Sequence, residues 1–174
     1  MTGGSMTPSD LKVAYINQDT LLKYYDFVKV KSDALEAKMK SYQGQLAARE
    51  SSLQQEVQQY QQGRGNLTMG QASLIEEGLQ KKGQNLQLFQ QSLSQQIEEE
   101  RATVSRELYM KITDYLRDYS KQRGIMVVMK YDRDSDLLFA GDSLDISKDV
   151  IKGLNDSWKV ELQNPTKNDT TKAK

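Results

Sequence analysis

The chain of 174 residues contains no cysteine and no histidine. Without these side chains it has no thiolate or imidazole for nucleophilic catalysis, for zinc or haem ligation, or for a disulfide bond. Carboxylates, lysines, tyrosines and hydroxyl groups remain, and paired carboxylates alone are a narrow basis for catalysis. We therefore expect a protein that is not an enzyme and that uses no cofactor and no metal.

An excess of charge of one sign is also missing. The chain has 24 Lys and Arg against 24 Asp and Glu, so it lacks the basic surplus typical of proteins that bind nucleic acid. Only 37% of the residues are hydrophobic and the mean hydropathy is −0.74, which disfavours one compact core over the full length. No stretch approaches the roughly 20 apolar residues of a membrane span.

Proline is nearly absent, since only Pro8 and Pro165 occur. Between them nothing fixes φ or removes a backbone donor, so very long helices are permitted. The polar ends, residues 1–10 and 161–174, are predicted to be disordered. The first of them has neither a basic nor an apolar region of a signal peptide, and we interpret it as a leader or tag remnant.

Helical periodicity dominates the middle of the chain. Apolar residues recur at steps of three and four from about Val28 to Gln62, and again from about Gln71 to Arg123, which predicts a coiled-coil seam in each segment. The glycines between the segments, among them Gly63, Gly65 and Gly70, predict a turn with positive φ angles. The two segments are thus predicted to form a long antiparallel helical hairpin, made pliable near its tip by Gly78 and Gly83.

Short strands are predicted at both ends of the hairpin. Leu11–Ile16 alternates in the manner of a half-buried strand, and a short helix follows, with Asn17 or Asp19 as its cap. After the second long helix, closed by Gly124, the apolar run Ile125–Met129 predicts a buried strand and Leu137–Ala140 another.

The last predicted element is a helix from Ser147 to about Trp158. Ser147 is a favourable N-cap, and Ile146 with Ile151 matches a hydrophobic staple. The whole pattern predicts a mostly helical α+β chain, with a β-rich body from residues 11–27 and 124–160. Residues 28–123 form the hairpin arm. Three strands with exposed edges predict self-association.

Two terminal segments resemble the Skp/OmpH family of periplasmic chaperones. The first runs from Lys12 to Leu22 and reads KVAYINQDTLL, and the second runs from Leu137 to Leu154 and reads LLFAGDSLDISKDVIKGL. The second matches the family's strand, Asp-Ile/Leu-Thr/Ser turn and closing helix. In element order the resemblance covers about residues 11–159.

The resemblance implies a periplasmic homotrimer whose strands form a small β body. Three helical-hairpin tentacles would then surround a cavity that holds unfolded outer-membrane β-barrel proteins without ATP. Well-known members are strongly basic whereas this chain is neutral, so no lipid-binding residue is carried over. The residues assigned to the trimerisation body are Val13, Tyr15, Ile125, Val127, Met129, Leu137 and Phe139.

Residues on the arm that could contact such clients are apolar or amphipathic. Methionine and tyrosine suit surfaces that accept varied partners, because one is adaptable and the other amphipathic. The same positions also fit the seam between the two helices, which is the commoner role of heptad positions. The candidates are Met39, Tyr42, Leu46, Tyr60, Leu67, Met69, Leu74 and Phe89.

Alternatives stay open for one motif and for the function. Asp132–Asp136 has the alternating acids of a calcium loop, but Leu137 stands where such a loop needs glycine and Ser143 where it needs glutamate, which favours a solvated hairpin turn. The alternative interpretations of the hairpin are the spacer of a structural tether and part of a prefoldin-like cage without outer-membrane clients.

Overall fold

The computed structural model describes residues 11–164, and helices predominate in it. The predicted α+β, mostly helical class is confirmed. Both terminal segments that the sequence places in disorder, residues 1–10 and 165–174, lie outside the described residues. The elements in chain order are β1 (Val13–Asn17), α1 (Gln18–Tyr24), α2 (Asp26–Gly63), α3 (Met69–Arg123), β2 (Val127–Tyr131) and α4 (Ser147–Gln163).

The described chain divides into two compact units. Residues 11–32 and 105–164 form one unit, which we call the body, and residues 33–104 form the other, which we call the arm. The long helices α2 and α3 contribute to both units, since each crosses a unit boundary.

The sheet of the body pairs strands that are distant in sequence. β1 and β2 run parallel, with Val13 opposite Val127 and Asn17 opposite Tyr131. Parallel strands need a long crossover connection, and here the entire segment from α1 to α3 provides it. On the other side of β1, Tyr15 forms an isolated parallel bridge with Asp145, so β1 is the inner strand.

Aromatic and aliphatic side chains from both ends of the chain form the core of the body. Phe27, 1% exposed, stacks on Tyr25 at 5.6 Å between ring centroids and meets Trp158 edge-on at 5.1 Å. Burial of such large apolar side chains contributes roughly 1.5–3 kcal/mol each. The buried members of the cluster are Ile16, Leu21, Tyr25, Phe27, Tyr119, Val150, Ile151 and Leu154.

The amide of Asn155 joins α4 to the junction between α1 and α2. Its Oδ1 accepts a hydrogen bond from the backbone N–H of Asp26 at 2.8 Å, and its Nδ2 donates to the carbonyl of Tyr24 at 3.0 Å. The first backbone N–H groups of a helix have no partner within it. One side chain on α4 therefore provides a partner for the first backbone N–H of α2 and for a backbone carbonyl at the end of α1.

The predicted short helix after β1 is present as α1, and the choice between its two candidate caps is settled. Asn17 Oδ1 accepts a hydrogen bond from the backbone N–H of Thr20 at 2.8 Å. Asp19 lies in the first turn instead, where a carboxylate is favourable to the helix dipole.

Two strand predictions need correction. Leu137–Ala140 forms no strand, because it pairs with neither β1 nor β2, the two strands of the sheet in the described residues. The run Ile125–Met129 was predicted to be a buried strand, but β2 begins at Val127, ends at Tyr131 and is largely exposed. The apolar side chains of β2 are exposed because no other part of the described chain covers them. The turn at 132–136 consequently does not belong to a hairpin.

The role predicted for Ser147 is wrong as well. Its hydroxyl is not an N-cap: Oγ accepts a hydrogen bond from the backbone N–H of Asn17 at 2.8 Å and donates to Asp145 Oδ1. The same Asp145 oxygen accepts the backbone N–H of Ser147 at 2.8 Å. Ser147 is 1% exposed, and a buried hydroxyl needs such partners. It therefore ties β1 to the start of α4.

Two further expectations differ from the structure. Among the described residues Gly124, at φ 67°, is the one residue with positive φ, so Gly63, Gly65 and Gly70 do not supply left-handed positions. Instead, a 3₁₀ turn at Arg64–Asn66 continues directly from α2. The last helix also continues to Gln163, so residues 161–163, predicted to belong to a disordered tail, are helical.

Candidate functional site

The body exposes apolar side chains on β2 and in the segment that follows it. Met126, Val127 and Met129 are each about two-fifths exposed, whereas Leu138 and Phe139 are 92% and 84% exposed. Single exposed apolar residues are common on protein surfaces, but clusters of them mark sites of interaction. The outer edge of β2 pairs with no strand of the described chain, so unpaired backbone groups lie next to this apolar surface.

The residues that the sequence assigns to the trimerisation body lie in different surroundings. Tyr15 is 8% exposed and packs edge-on against Tyr131 at 5.5 Å, and burial raises its pKa. Val127, Met129 and Phe139 are exposed. The remaining three, which are half-buried, are Val13, Ile125 and Leu137.

An apolar groove of about 400 Å³ lies beside β2 within the body. Leu21 and Leu22 of α1, Leu108 and Ile112 of α3, and Met129 of β2 are among its lining residues. Because Met129 belongs both to this groove and to the exposed β2 surface, the groove continues that surface. An open groove lined mainly by apolar side chains is a common form of binding site.

The arm consists of the two long helices in antiparallel register. Tyr42 Oη donates to Gln96 Oε1 at 2.9 Å, and farther along the guanidinium of Arg49 lies over the Phe89 ring at 3.9 Å. From the first pair to the second, the residue number rises by seven on α2 and falls by seven on α3. This is the register of an antiparallel pair that stays in step for two helical turns. The predicted helical hairpin is therefore confirmed within residues 33–104.

An ion pair and a hydrogen bond between side chains of α2 and α3 flank the same seam. Lys38 pairs with Glu100, and this hydrogen bond raises the pKa of the lysine. Tyr60 donates a hydrogen bond to Glu76, which raises the pKa of the phenol. Both pairs are solvent-accessible, so water and salt weaken their contribution to stability. Their partners follow the same antiparallel register as Tyr42 with Gln96.

Most of the arm's client-facing candidates lie partly covered along the seam. Met69 at 92% and Leu74 at 72% are the two that are largely exposed. Leu74 also fitted the seam in the sequence, but it is exposed, and near the tip Tyr60 and Glu76 make a contact between the helices instead. The half-buried candidates are Met39, Tyr42, Leu46, Tyr60, Leu67 and Phe89.

Within residues 11–164 no cluster of three or more potential metal ligands occurs. In the turn after β2, the ammonium of Lys130 hydrogen-bonds Asp132 at 2.7 Å and lowers the pKa of that carboxyl. Asp132 Oδ1 also accepts the backbone N–H of Asp134 at 3.0 Å, as expected of an aspartate in a turn.

Residues 11–164 include no helix whose length and apolar content suffice to cross a bilayer. α3 has 55 residues, which would be long enough. Charged and amide side chains occur throughout it, so it has no apolar stretch of the required length.

Sequence reasoning missed the polar ties of the body. Asn155 and Asp145 are polar residues in polar segments, and neither fits a motif. Asn155 pairs with Asp26, and Asp145 pairs with Ser147, which in turn bonds Asn17. These partners become visible only once β1, α1 and α4 are packed together. The one available signal was Asp145 two residues before a helix-starting serine, a spacing that favours an Asx turn.

Comparisons with known proteins agree on the family. The family model described as Outer membrane protein (OmpH-like) matches residues 12–154. A solved OmpH-like structure from Caulobacter crescentus, proposed to be an outer membrane chaperone, superposes with a TM-score of 0.76. It has 14% sequence identity, and the match covers 90% of each chain. No curated protein matches this chain. Since the family model covers most of its length, the chain belongs to the OmpH-like family.

Proposed function

We propose that this protein is an ATP-independent holdase chaperone of the periplasm that protects unfolded outer-membrane β-barrel proteins in transit. The observation that carries the proposal is the match to the OmpH-like family over residues 12–154. The fold shared with an OmpH-like protein proposed to be an outer membrane chaperone adds support. No catalytic step is required, because holding a client is an equilibrium of binding and release.

Assembly into a homotrimer is part of the proposal. The exposed edge of β2 and the exposed Leu138 and Phe139 support it, since a second copy could cover both. We assign this role to the body residues named from the sequence: Val13, Tyr15, Ile125, Val127, Met129, Leu137 and Phe139. On this proposal Leu137–Ala140 becomes a strand only when another copy supplies the missing edge.

The arms are proposed to hold the client by many weak apolar contacts. A holdase must outcompete aggregation while imposing little order on its client, and dispersed contacts meet that requirement better than one tight pocket. Partly covered seam residues and exposed tip residues support this role. The proposed contacts remain Met39, Tyr42, Leu46, Tyr60, Leu67, Met69, Leu74 and Phe89.

Suppression of aggregation tests the proposal. A urea-unfolded outer-membrane β-barrel protein is diluted into buffer without ATP, and light scattering is followed with and without the chain. The proposal predicts full suppression near three chains per client. Unchanged scattering would favour the alternative of a structural tether. If the chain suppresses the aggregation of unrelated unfolded proteins but not that of β-barrel proteins, the result would favour a prefoldin-like cage.

A further inference from the structure

An apolar groove lies near the turn of the arm, and we call it the tip groove. Its volume is about 440 Å³. Tyr60 on α2, Leu67 after the turn, and Ile75 and Leu79 on α3 supply its apolar lining. Exposed Met69 and Leu74 lie close by in the chain.

Gly78 keeps this groove open. It lines the groove, and a Cβ placed on it would meet no heavy atom within 4 Å, because the space there is empty. A glycine in a helix interior costs about 1 kcal/mol relative to alanine. Gly78 differs from Gly83 of the same helix in that the empty space beside it belongs to the groove.

The charged residues that line the tip groove are already paired with each other. Lys82 Nζ lies 2.5 Å from Glu56 Oε2, and both residues border the groove. An ionic ligand would have to compete with this pair, whereas an uncharged apolar side chain would not. The charge distribution therefore fits an occupant that is apolar and neutral.

A second, smaller groove continues the first along the helices. It has a volume of about 260 Å³ and shares Glu56 and Lys82 with the tip groove. From Ser52 in the second groove to Gly63 in the first, α2 rises about 16 Å, at ~1.5 Å per residue. That distance matches about five residues of extended polypeptide at ~3.3 Å per residue.

Amide side chains border both grooves. Gln59 lines the tip groove and Asn85 the smaller one, and each carries a donor and an acceptor of the kind that an extended backbone needs. We propose that the two grooves bind an extended, uncharged polypeptide segment with apolar residues at alternate positions, one of which enters the tip groove beside Gly78. This inference rests on the proposed function, because a β-barrel client that has not yet folded exposes segments of this kind, which later become its strands.

Filling the groove provides the test, and Gly83 provides a matched control. Gly83 lies in the same helix, a Cβ on it would also meet no atom within 4 Å, and it lines neither groove. A labelled 12-residue peptide with Leu and Phe alternating with Ser and Thr is titrated with the full chain, and its fluorescence anisotropy is recorded. The same peptide with Leu and Phe replaced by Ser serves as the negative probe.

We expect Gly78→Leu to weaken peptide binding about tenfold or more, the effect of losing the site of one large apolar side chain. Gly83→Leu should change it less than twofold. Equal affinities of the two variants would overturn the inference. Equal weakening by Gly78→Ala and Gly83→Ala would also overturn it, because helix stiffness rather than groove space would then control binding. A changed solution mass of Gly78→Leu would identify a second copy as the occupant and contradict the inference.

Aggregation assays with the same variants separate this inference from the proposed function. If the unaltered chain protects a β-barrel client and Gly78→Leu protects it equally well, the holdase function stands and the groove inference fails. If the unaltered chain binds the peptide in a Gly78-dependent manner but does not protect the client, the groove inference stands and the proposed function fails.

Discussion

Tyr115 of α3 occupies the space that a side chain at Gly153 of α4 would need. A Cβ built on Gly153 would lie 1.8 Å from Tyr115 Oη and 2.3 Å from its Cζ, far inside van der Waals contact. The phenol ring therefore packs directly against the backbone of α4. Glycine at position 153 is a requirement of this packing and not of backbone conformation, since its φ is negative.

The first prediction concerns Gly153. Gly153→Ala should lower the free energy of unfolding by about 1–3 kcal/mol, because the new methyl overpacks the contact between α3 and α4. Urea unfolding followed by circular dichroism measures the change, at one protein concentration because assembly makes stability concentration-dependent. Gly44→Ala in α2, where a Cβ meets nothing within 4 Å, is the control and should raise stability by about 0.5–1 kcal/mol.

A double-mutant cycle shows whether Tyr115 is the cause. In a Tyr115→Ala background, the added cost of Gly153→Ala should largely disappear, because the ring is no longer there to clash. An undiminished cost would mean that some other contact of Gly153 matters, and the packing explanation would be wrong.

The second prediction concerns stability at alkaline pH. Burial, and next the negative charge of Glu161, raise the pKa of Tyr25 to about 12. Below pH 10 the phenol is protonated in both states and contributes no pH dependence. Between pH 10 and 12 the unfolded chain releases this proton while the folded chain keeps it, so stability falls as pH rises.

Tyr25→Phe checks this assignment. The variant cannot titrate at position 25, so its free energy of unfolding should decline less steeply between pH 10 and 12 than that of the unaltered chain. Both proteins should show parallel profiles between pH 6 and 9. Identical slopes above pH 10 would contradict the assignment to Tyr25.

The third prediction concerns the register of the arm. The chain has no cysteine, so introduced thiols report without interference. Cysteines replacing Tyr42 and Gln96, whose side chains are hydrogen-bonded, should be joined within one chain by a short thiol cross-linker. Cysteines at Tyr42 and Glu76 should not be joined, because position 76 lies about 30 Å farther along α3. Efficient linkage of the second pair would contradict the antiparallel register.

The fourth prediction concerns salt. Residues 33–104 include seven Lys or Arg and nine Asp or Glu, so the arm lacks a surplus of positive charge. If apolar contacts hold the client, its affinity should change less than about threefold between 50 and 500 mM NaCl, because screening acts on charge. A loss of tenfold or more, measured by anisotropy of a labelled unfolded client, would indicate electrostatic capture.

Local patterns were sufficient to predict the helices but not the pairing of distant segments. Helical periodicity and the scarcity of proline located all four ends of α2 and α3 to within about two residues. The parallel pairing of β1 with β2 could not be derived, because strand neighbours depend on packing between segments more than 100 residues apart. The same limit explains Asn155 and Gly153, whose partners lie on distant helices.

The false strand at Leu137–Ala140 shows where sequence patterns report on more than one chain. Its apolar residues favour a buried strand, yet Leu138 and Phe139 are exposed in the single chain. A strand needs a partner strand, and within the described residues this segment pairs with neither β1 nor β2. We therefore propose that the pattern reflects pairing of this segment within an assembly.

Native mass spectrometry of the chain, with and without a urea-unfolded outer-membrane β-barrel protein, tests the central claim most directly. The account predicts three copies of the 19.8 kDa chain when it is alone, and three copies with one client when the two are mixed. Single chains at micromolar concentration, with no client attached, would contradict it.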